Sequence, residues 1–303
     1  MNRFIQSWAA TTLLSSVAAM LPAQAASEYQ LARVTAPDGV SVSVQTWGNP
    51  KGPAILFIHG FMQSHLSWAK QLRDPALARE FRMVSYDFRG HGASDKPLEP
   101  GYYNNGERFA DELKAVIDAS KLERPVLVGW SYGTRIVSDY LMKYGDAAIS
   151  GINFVGGAGN GDPKHLGPGA ALLGKTLTED LADNSVATSD FIRVCFEKQP
   201  TDAEFQTMLA FNMVVPPKVR AALRRPAPYE PALKAITVPT LVTHGTEDKV
   251  LGIGLGRYLV ATVPNAQASF YEGVGHSPFW EDAPRFNSEL AAFVRDASGK
   301  APR

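Results

Sequence analysis

Runs of apolar residues recur along most of the chain and predict the strands of a sheet. Residues 54–58 (AILFI) are continuously apolar, which is typical of a strand buried on both faces. Residues 40–44 (VSVSV) alternate between apolar and polar positions, which indicates a half-exposed antiparallel strand. The same criteria predict further strands at 82–86, 126–128, 152–155, 240–243 and 268–271.

Helical patterns separate these strands. Within 107–120, the apolar residues Phe109, Leu113 and Val116 recur at the spacing that puts them on one helical face. Similar helices are predicted at 66–72, 134–144 and 284–296. Because strands and helices alternate, the pattern favours one α/β domain with helices on both faces of a mostly parallel sheet.

The alternation stops between about residues 159 and 235, where a Gly/Pro-rich stretch leads into helical, apolar sequence. Strands and helices resume near Val238. A helical insertion between two strands is typical of a lid rather than of a separate domain. Two interpretations of the apolar stripe in this insertion are open. The first is that the stripe packs in the interior of the protein, and the second is that it forms a wall of the substrate site. Its members are Phe205, Met208, Phe211 and Met213.

The first residues have the features of a secretory signal peptide. Arg3 gives a positive start, and no further charged side chain follows until Glu28. An apolar core then leads to the segment 23–25 (AQA), which matches the A-x-A pattern of a cleavage site. We therefore predict a signal peptide of residues 1–25 and a mature domain of residues 26–303. The protein would be exported, periplasmic or secreted, without stable membrane insertion. An uncleaved anchor is the alternative.

Composition excludes several kinds of partner. The chain carries 30 basic and 30 acidic side chains, and its formal net charge is zero. Lys and Arg do not cluster, so we expect no nucleic-acid partner. Cys195 is the single cysteine, which excludes an internal disulfide. No His/Cys set has metal-ligand spacing, so we expect a small-molecule substrate and neither a metal nor another cofactor.

Chemically reactive side chains follow several of the predicted strands. Ser131, Asp248 and His276 each come shortly after a strand, in the chain order serine, acid, histidine. The carboxyl ends of parallel strands meet at one edge of a sheet, so these residues are expected on the same edge. Taken alone, GWSYG around Ser131 could also be an ordinary strand-to-helix connection.

Five ordered segments carry a family resemblance: HGF at 59–61, DFRGHGAS at 87–94, GWSYG at 129–133, HGTEDKV at 244–250 and GVGHSPFWEDAPRFN at 273–287. One such segment is weak support, whereas five in order are highly specific. The chain resembles the α/β-hydrolases, and most strongly the lidded branch of serine esterases, non-haem haloperoxidases and meta-cleavage-product hydrolases. The resemblance implies an eight-stranded, mostly parallel sheet with helices on both faces and a helical lid.

The resemblance also implies roles for the site residues. Ser131 would be the nucleophile, and His276 the base that takes its proton and returns it to the leaving group. Asp248 would orient the imidazole and stabilise the imidazolium. Glu247 and Asp162 are the alternatives for this acid.

Backbone groups complete the implied machinery. The N–H groups of Phe61 and Tyr132 would form the oxyanion hole. Gly129 and Gly133 would leave room for the tight turn at the serine. Thr134 stands where many relatives have a third glycine, so the subfamily stays open.

These features predict a serine hydrolase. A serine at this turn excludes haloalkane dehalogenases and epoxide hydrolases, which use an aspartate there. We expect a carboxylesterase-like enzyme that cleaves an ester-type bond of a small, largely apolar substrate through an acyl-enzyme. The alternatives are perhydrolase or haloperoxidase-like chemistry, C–C bond hydrolysis, and a non-catalytic binding protein. The expected substrate wall is uncharged and consists of Trp130, Phe205, Met208, Phe211 and Met213.

Overall fold

A computed structural model describes residues 29–157 and 161–299 of the chain. The predicted signal peptide lies outside the described residues. In the described part, eight strands form one sheet. They are β1 (Tyr29–Thr35), β2 (Ser41–Gly48), β3 (Ala54–Ile58), β4 (Arg82–Asp87), β5 (Val126–Trp130), β6 (Gly151–Val155), β7 (Thr240–Gly245) and β8 (Gln267–Tyr271).

The order of the strands is β1-β2-β4-β3-β5-β6-β7-β8. The pairs β1–β2 and β2–β4 are antiparallel, and every other neighbouring pair is parallel. This confirms the predicted mostly parallel, eight-stranded sheet. Strand β1 was not predicted, because its residues are largely exposed and carry no apolar run.

Helices cover both faces of the sheet. Residues of α3, α4 and α10 pack on one face, and residues of α1, α2 and α12 pack on the other. The described helices are α1 (Ala69–Leu72), α2 (Pro75–Glu80), α3 (Gly106–Ala119), α4 (Tyr132–Tyr144), α5 (Leu172–Lys175), α6 (Leu181–Val194), α7 (Asp202–Met213), α8 (Pro217–Ala222), α9 (Glu230–Lys234), α10 (Ile253–Thr262), α11 (Pro278–Glu281) and α12 (Ala283–Gly299). None of them has both the length and the apolar character that crossing a membrane requires.

The insertion between β6 and β7 contains helices α5 to α9, which we call the lid. Its own apolar cluster contains Phe191, Cys195 and Phe205, and it reaches Met62 in the loop after β3. The lid therefore packs on the edge of the sheet where the loops after the parallel strands gather.

Candidate active site

Ser131 occupies a strained turn between β5 and α4. Its φ of 52° lies in the left-handed region, which costs a non-glycine residue about 1–3 kcal/mol. A Cβ at Gly133 would lie 2.3 Å from the carbonyl oxygen of Ile58, and a Cβ at Gly129 would lie 2.9 Å from the backbone of Gly133. The backbone N–H of Ser131 donates to the carbonyl of Val155 at 2.9 Å. Close backbone packing thus enforces the turn and exposes the serine.

His276 follows β8 and is buried beside Asp248. The distance between His276 Nδ1 and Asp248 Oδ2 is 2.7 Å. Since an ionised carboxylate can only accept, Nδ1 carries the proton and Nε2 carries the lone pair. Nε2 is buried and forms no hydrogen bond within the described residues. His276 therefore presents a buried basic nitrogen without a partner among the residues that the structure describes.

The loop after β6 contacts both Ser131 and His276. A Cβ at Gly156 would lie 3.3 Å from His276 Nδ1, and a Cβ at Gly157 would lie 2.6 Å from the carbonyl oxygen of Ser131. A side chain at Gly157 would clash with this backbone, and one at Gly156, whose φ is 52°, would be strained and tightly packed. The serine and the histidine are thus brought to the same end of the sheet, as their positions after strands led us to expect.

Asp248 accepts hydrogen bonds from His276 and from two backbone amides, and a second histidine lies beside it. The N–H groups of Val250 and Leu251 donate to Oδ1 at 2.8 and 2.9 Å. Nε2 of His244 lies 2.6 Å from the carbonyl oxygen of Leu251 and 3.1 Å from Asp248 Oδ2. Burial alone would raise the pKa of Asp248, but its interactions with His276 and His244 hold it well below its ordinary value. The carboxylate therefore stays ionised at neutral pH. Sequence reasoning gave His244 no role, although its position four residues before Asp248 was a usable signal.

The two alternative acids lie elsewhere. Glu247 is exposed, and its side chain accepts from Thr246 Oγ1. Asp162 forms an ion pair with Lys164 at 2.8 Å. Of the three carboxylates considered, the structure joins Asp248 to His276.

The loop after β3 runs beside Ser131. A Cβ at Gly60 would lie 3.2 Å from the Cβ of Ser131, so the two backbones are in close contact. The adjacent N–H group of Phe61 forms no hydrogen bond within residues 29–157 and 161–299, and neither does the N–H of Tyr132 at the start of α4. Two backbone donors with no partner in the described part of the chain therefore lie next to the serine.

Two neutral histidines hold this loop. Nδ1 of His59 lies 2.9 Å from the carbonyl oxygen of Gly60, and Nε2 accepts from the N–H of Phe88 at 3.3 Å. His91 accepts from the N–H of Met62 through Nε2 at 3.1 Å. Burial lowers the pKa of His59 to about 4 and that of His91 well below its ordinary value. Both rings are therefore neutral at pH 7 and act as fixed acceptors.

Ser131 lines a cavity of about 470 Å³, a size suited to a small molecule. Phe61 and Tyr132 line it beside the serine, and Val250 and Leu255 line it from the β7 side. Most of the lid residues at the wall are apolar or small, and they include Ala170, Ala171, Leu173, Leu177, Phe191 and Leu223.

The five residues predicted as the substrate wall do not line this cavity. Trp130 lies beneath His276, where its Nε1 donates to the carbonyl of His276 at 2.9 Å. Phe205, Met208 and Phe211 are buried in the lid's own core, and Met213 is half-buried. The stripe thus packs inside the lid, which was the simpler of its two interpretations.

The wall of the cavity also carries charged residues. Arg135, Arg220 and Arg224 line it, together with Asp162 and His165. Two of these arginines belong to the lid, which corrects the expectation of an uncharged lid surface. Within the described residues, no group of three or more His, Cys, Asp or Glu side chains could hold a metal ion.

Comparison with known proteins assigns the family. The family model for the alpha/beta hydrolase fold matches residues 53–283, so the chain belongs to the α/β-hydrolase family. It is similar to a candidate aryl esterase from Burkholderia cenocepacia, at 36% identity and a TM-score of 0.86, over 89% of this chain and 100% of the other. The esterase RhEst1 from Rhodococcus sp. ECU1013 is 31% identical, with a TM-score of 0.81, over 88% of this chain and 98% of the other.

A relative with two activities in its name is also similar. The bifunctional esterase/perhydrolase DCH of Acinetobacter calcoaceticus is 25% identical over 287 residues, which are 86% of this chain and 99% of that protein. The predicted family resemblance is thereby confirmed. The chain is an α/β hydrolase whose relatives include esterases.

Proposed function

We propose that the protein is a serine hydrolase that cleaves the ester bond of a small molecule through an acyl-enzyme on Ser131. One arrangement carries the proposal. Asp248 binds His276 Nδ1 and leaves Nε2 free, at the end of the sheet where Ser131 stands on its strained turn. A serine needs such a base and such an acid to become a nucleophile.

The reaction follows from these groups. His276 Nε2 takes the proton of the Ser131 hydroxyl as Oγ forms a bond to the ester carbonyl carbon. The N–H groups of Phe61 and Tyr132 stabilise the resulting oxyanion. The C–O bond to the alcohol then breaks, and His276 returns the proton to the leaving oxygen. A water molecule, deprotonated by the same nitrogen, then attacks the acyl carbon. The bond between this carbon and Ser131 Oγ breaks, His276 returns the proton to Oγ, and the carboxylic acid leaves.

Perhydrolysis is the second candidate, in which hydrogen peroxide replaces water and the product is a peracid. The relative from Acinetobacter calcoaceticus supports it, because its name combines esterase and perhydrolase activities. Both reactions pass through the same acyl-enzyme. Comparing acid and peracid formation from one ester, with and without added peroxide, separates them.

Export is part of the proposal, and the basis is the signal-peptide pattern of residues 1–25. N-terminal sequencing of the protein recovered from a bacterial periplasmic fraction tests it. A start near residue 26 supports cleavage. A start at Met1 in the membrane fraction would favour the uncleaved anchor.

A fluorophosphonate probe tests the serine directly. We expect stoichiometric labelling of the wild type at Ser131, together with turnover of p-nitrophenyl butyrate. The Ser131→Ala variant loses both, whereas Ser288→Ala, which changes an exposed serine on α12, retains both. Labelling and turnover that persist in folded Ser131→Ala protein would refute the proposal.

A further inference from the structure

Three arginines line the same cavity as Ser131. Arg135 lies four residues after Ser131, in the first turn of α4, and both side chains line this cavity. Arg220 lies in α8, and Arg224 lies just after α8. The wall near the serine therefore carries a cluster of positive charge.

Arg220 is fully buried and binds only neutral acceptors. Its guanidinium donates to three backbone carbonyls, of Val215, Thr176 and Asn212, at 2.8–3.1 Å. It also donates to Asn184 Oδ1 and Thr188 Oγ1 at 2.9 and 3.0 Å. Several of these acceptors terminate lid helices, where carbonyl dipoles partly offset the charge. No carboxylate of the described chain reaches this guanidinium.

The other two arginines also have no acidic partner within the ranges 29–157 and 161–299. Arg135 donates through Nη2 to the carbonyls of Arg225 and Pro226, while its Nε is buried and has no partner among the described residues. The Arg224 side chain is exposed and forms neither a hydrogen bond nor an ion pair within the part of the chain that the structure describes.

Nearby carboxylates are already engaged. Asp162, the one acid at the described wall, is paired with Lys164. Asp139, one turn beyond Arg135 on α4, is bound by Arg225 through both of its oxygens. Arg225 does not line the cavity, yet it has a carboxylate partner, whereas its neighbour Arg224 at the wall has none. The wall near Ser131 thus keeps an excess of positive charge.

We propose that this cavity binds an ester whose acyl part ends in a carboxylate, that is, the half-ester of a short dicarboxylic acid. The inference rests on the proposed function, since it places the ester carbonyl at Ser131 and the carboxylate at Arg135 and Arg224. Helix α4 begins directly after Ser131, and Arg135 closes its first turn, which rises about 5 Å along the axis. An acyl chain of about four to six carbons spans a separation of this order. Guanidinium groups bind carboxylates through strong, paired hydrogen bonds. The apolar wall from the lid would contact the methylene groups.

Hydrolysis of two matched esters tests the proposal. One is monomethyl adipate, and the other is the neutral methyl ester in which an isopropyl group replaces its carboxylate. We expect kcat/KM of the wild type, followed by pH-stat, to be at least about tenfold higher for monomethyl adipate. This preference falls about tenfold in Arg224→Ala and further in Arg224→Glu. Arg79→Ala, which removes an equal charge from exposed α2, keeps the wild-type preference.

Binding of adipate itself separates this inference from the proposed catalysis. Calorimetric titration is expected to show binding to the wild type and to Ser131→Ala, weakened about tenfold in Arg224→Ala and weakened by added salt. A wild type that binds no adipate, or that hydrolyses the neutral ester as fast as the charged one, would overturn the proposed carboxylate-binding site. If adipate binds but no ester is cleaved, the proposed function fails and the carboxylate-binding site is supported.

Discussion

The backbone N–H of Met62 donates a hydrogen bond to Nε2 of His91 across 3.1 Å. This bond joins the loop after β4 to the loop after β3, which carries Phe61. Met62 has a φ of 62°, a conformation that non-glycine residues seldom adopt. The bond therefore holds a strained loop in the position that sets the Phe61 N–H beside Ser131.

His91→Leu removes the acceptor for this N–H. We expect kcat for p-nitrophenyl butyrate to fall about ten- to a hundredfold, less than loss of an oxyanion donor itself, with a smaller change in KM. His91→Gln, which keeps an acceptor, recovers part of the loss. Urea denaturation verifies that the variants are folded. A folded His91→Leu protein with wild-type kcat would show that the bond does not position the loop.

Asp248→Asn removes the charge that faces His276. Although burial raises the pKa of Asp248, its interactions with His276 and His244 hold the pKa below its ordinary value, so the native carboxylate is ionised at neutral pH. The amide cannot hold the same imidazole tautomer, so we expect kcat to fall about a thousandfold or more. Glu247→Gln changes the exposed neighbouring acid and is the matched control, with activity within about twofold of wild type. Equal losses in the two variants would contradict the assignment.

Gly133→Ala tests the backbone contact behind the turn. The new Cβ would lie 2.3 Å from the Ile58 carbonyl oxygen, and backbone atoms cannot retreat as a flexible side chain can. We expect a loss of about 2–4 kcal/mol in the free energy of unfolding, measured by urea denaturation. Gly101→Ala meets nothing within 4 Å and should change stability by no more than about 0.5 kcal/mol.

His59 makes stability depend on pH. Its folded pKa of about 4 lies below the ordinary value of 6.5, so the unfolded chain takes up the proton first as pH falls. Stability is therefore complete above pH 6.5 and declines toward pH 4, by about 2 kcal/mol at pH 5. His91 adds to the loss in the same direction, whereas Asp87, with a pKa of about 2, acts only at lower pH.

Urea denaturation at pH 7 and pH 5 measures this effect. His59→Gln lacks the titrating group, so its stability should decline less than that of the wild type over this interval. Equal declines in the two proteins would show that His59 is not the source.

Much of the fold was predictable because its signals are local in the chain. Continuous apolar runs such as Ala54–Ile58 mark strands buried on both faces, and the structure contains each strand that the pattern predicted. Strand β1 was not predicted, because an exposed edge strand needs no apolar run. The tight turn at Ser131 was also predictable, because such a turn restricts the size of residues a few positions away, here Gly129 and Gly133.

In the lid, the local sequence pattern does not predict which residues line the cavity. Helix α7 carries apolar residues on more than one face, so its sequence does not select the side that meets the substrate cavity. The packing of α6, α7 and the loop after β3 buried Phe205, Met208 and Phe211 inside the lid. Other residues of the lid line the cavity instead, among them Arg220 and Arg224.

Sequence pattern was enough to predict the alternating order of strands and helices, the family, and the ordered serine, acid and histidine after the strands. It did not predict that Asp248, rather than its neighbour Glu247, contacts His276, or that arginines line the cavity beside Ser131. These two kinds of feature depend on different distances along the chain. Strand burial and turn geometry depend on neighbouring residues, whereas a carboxylate's partner or a cavity wall depends on segments that only the packed fold brings together.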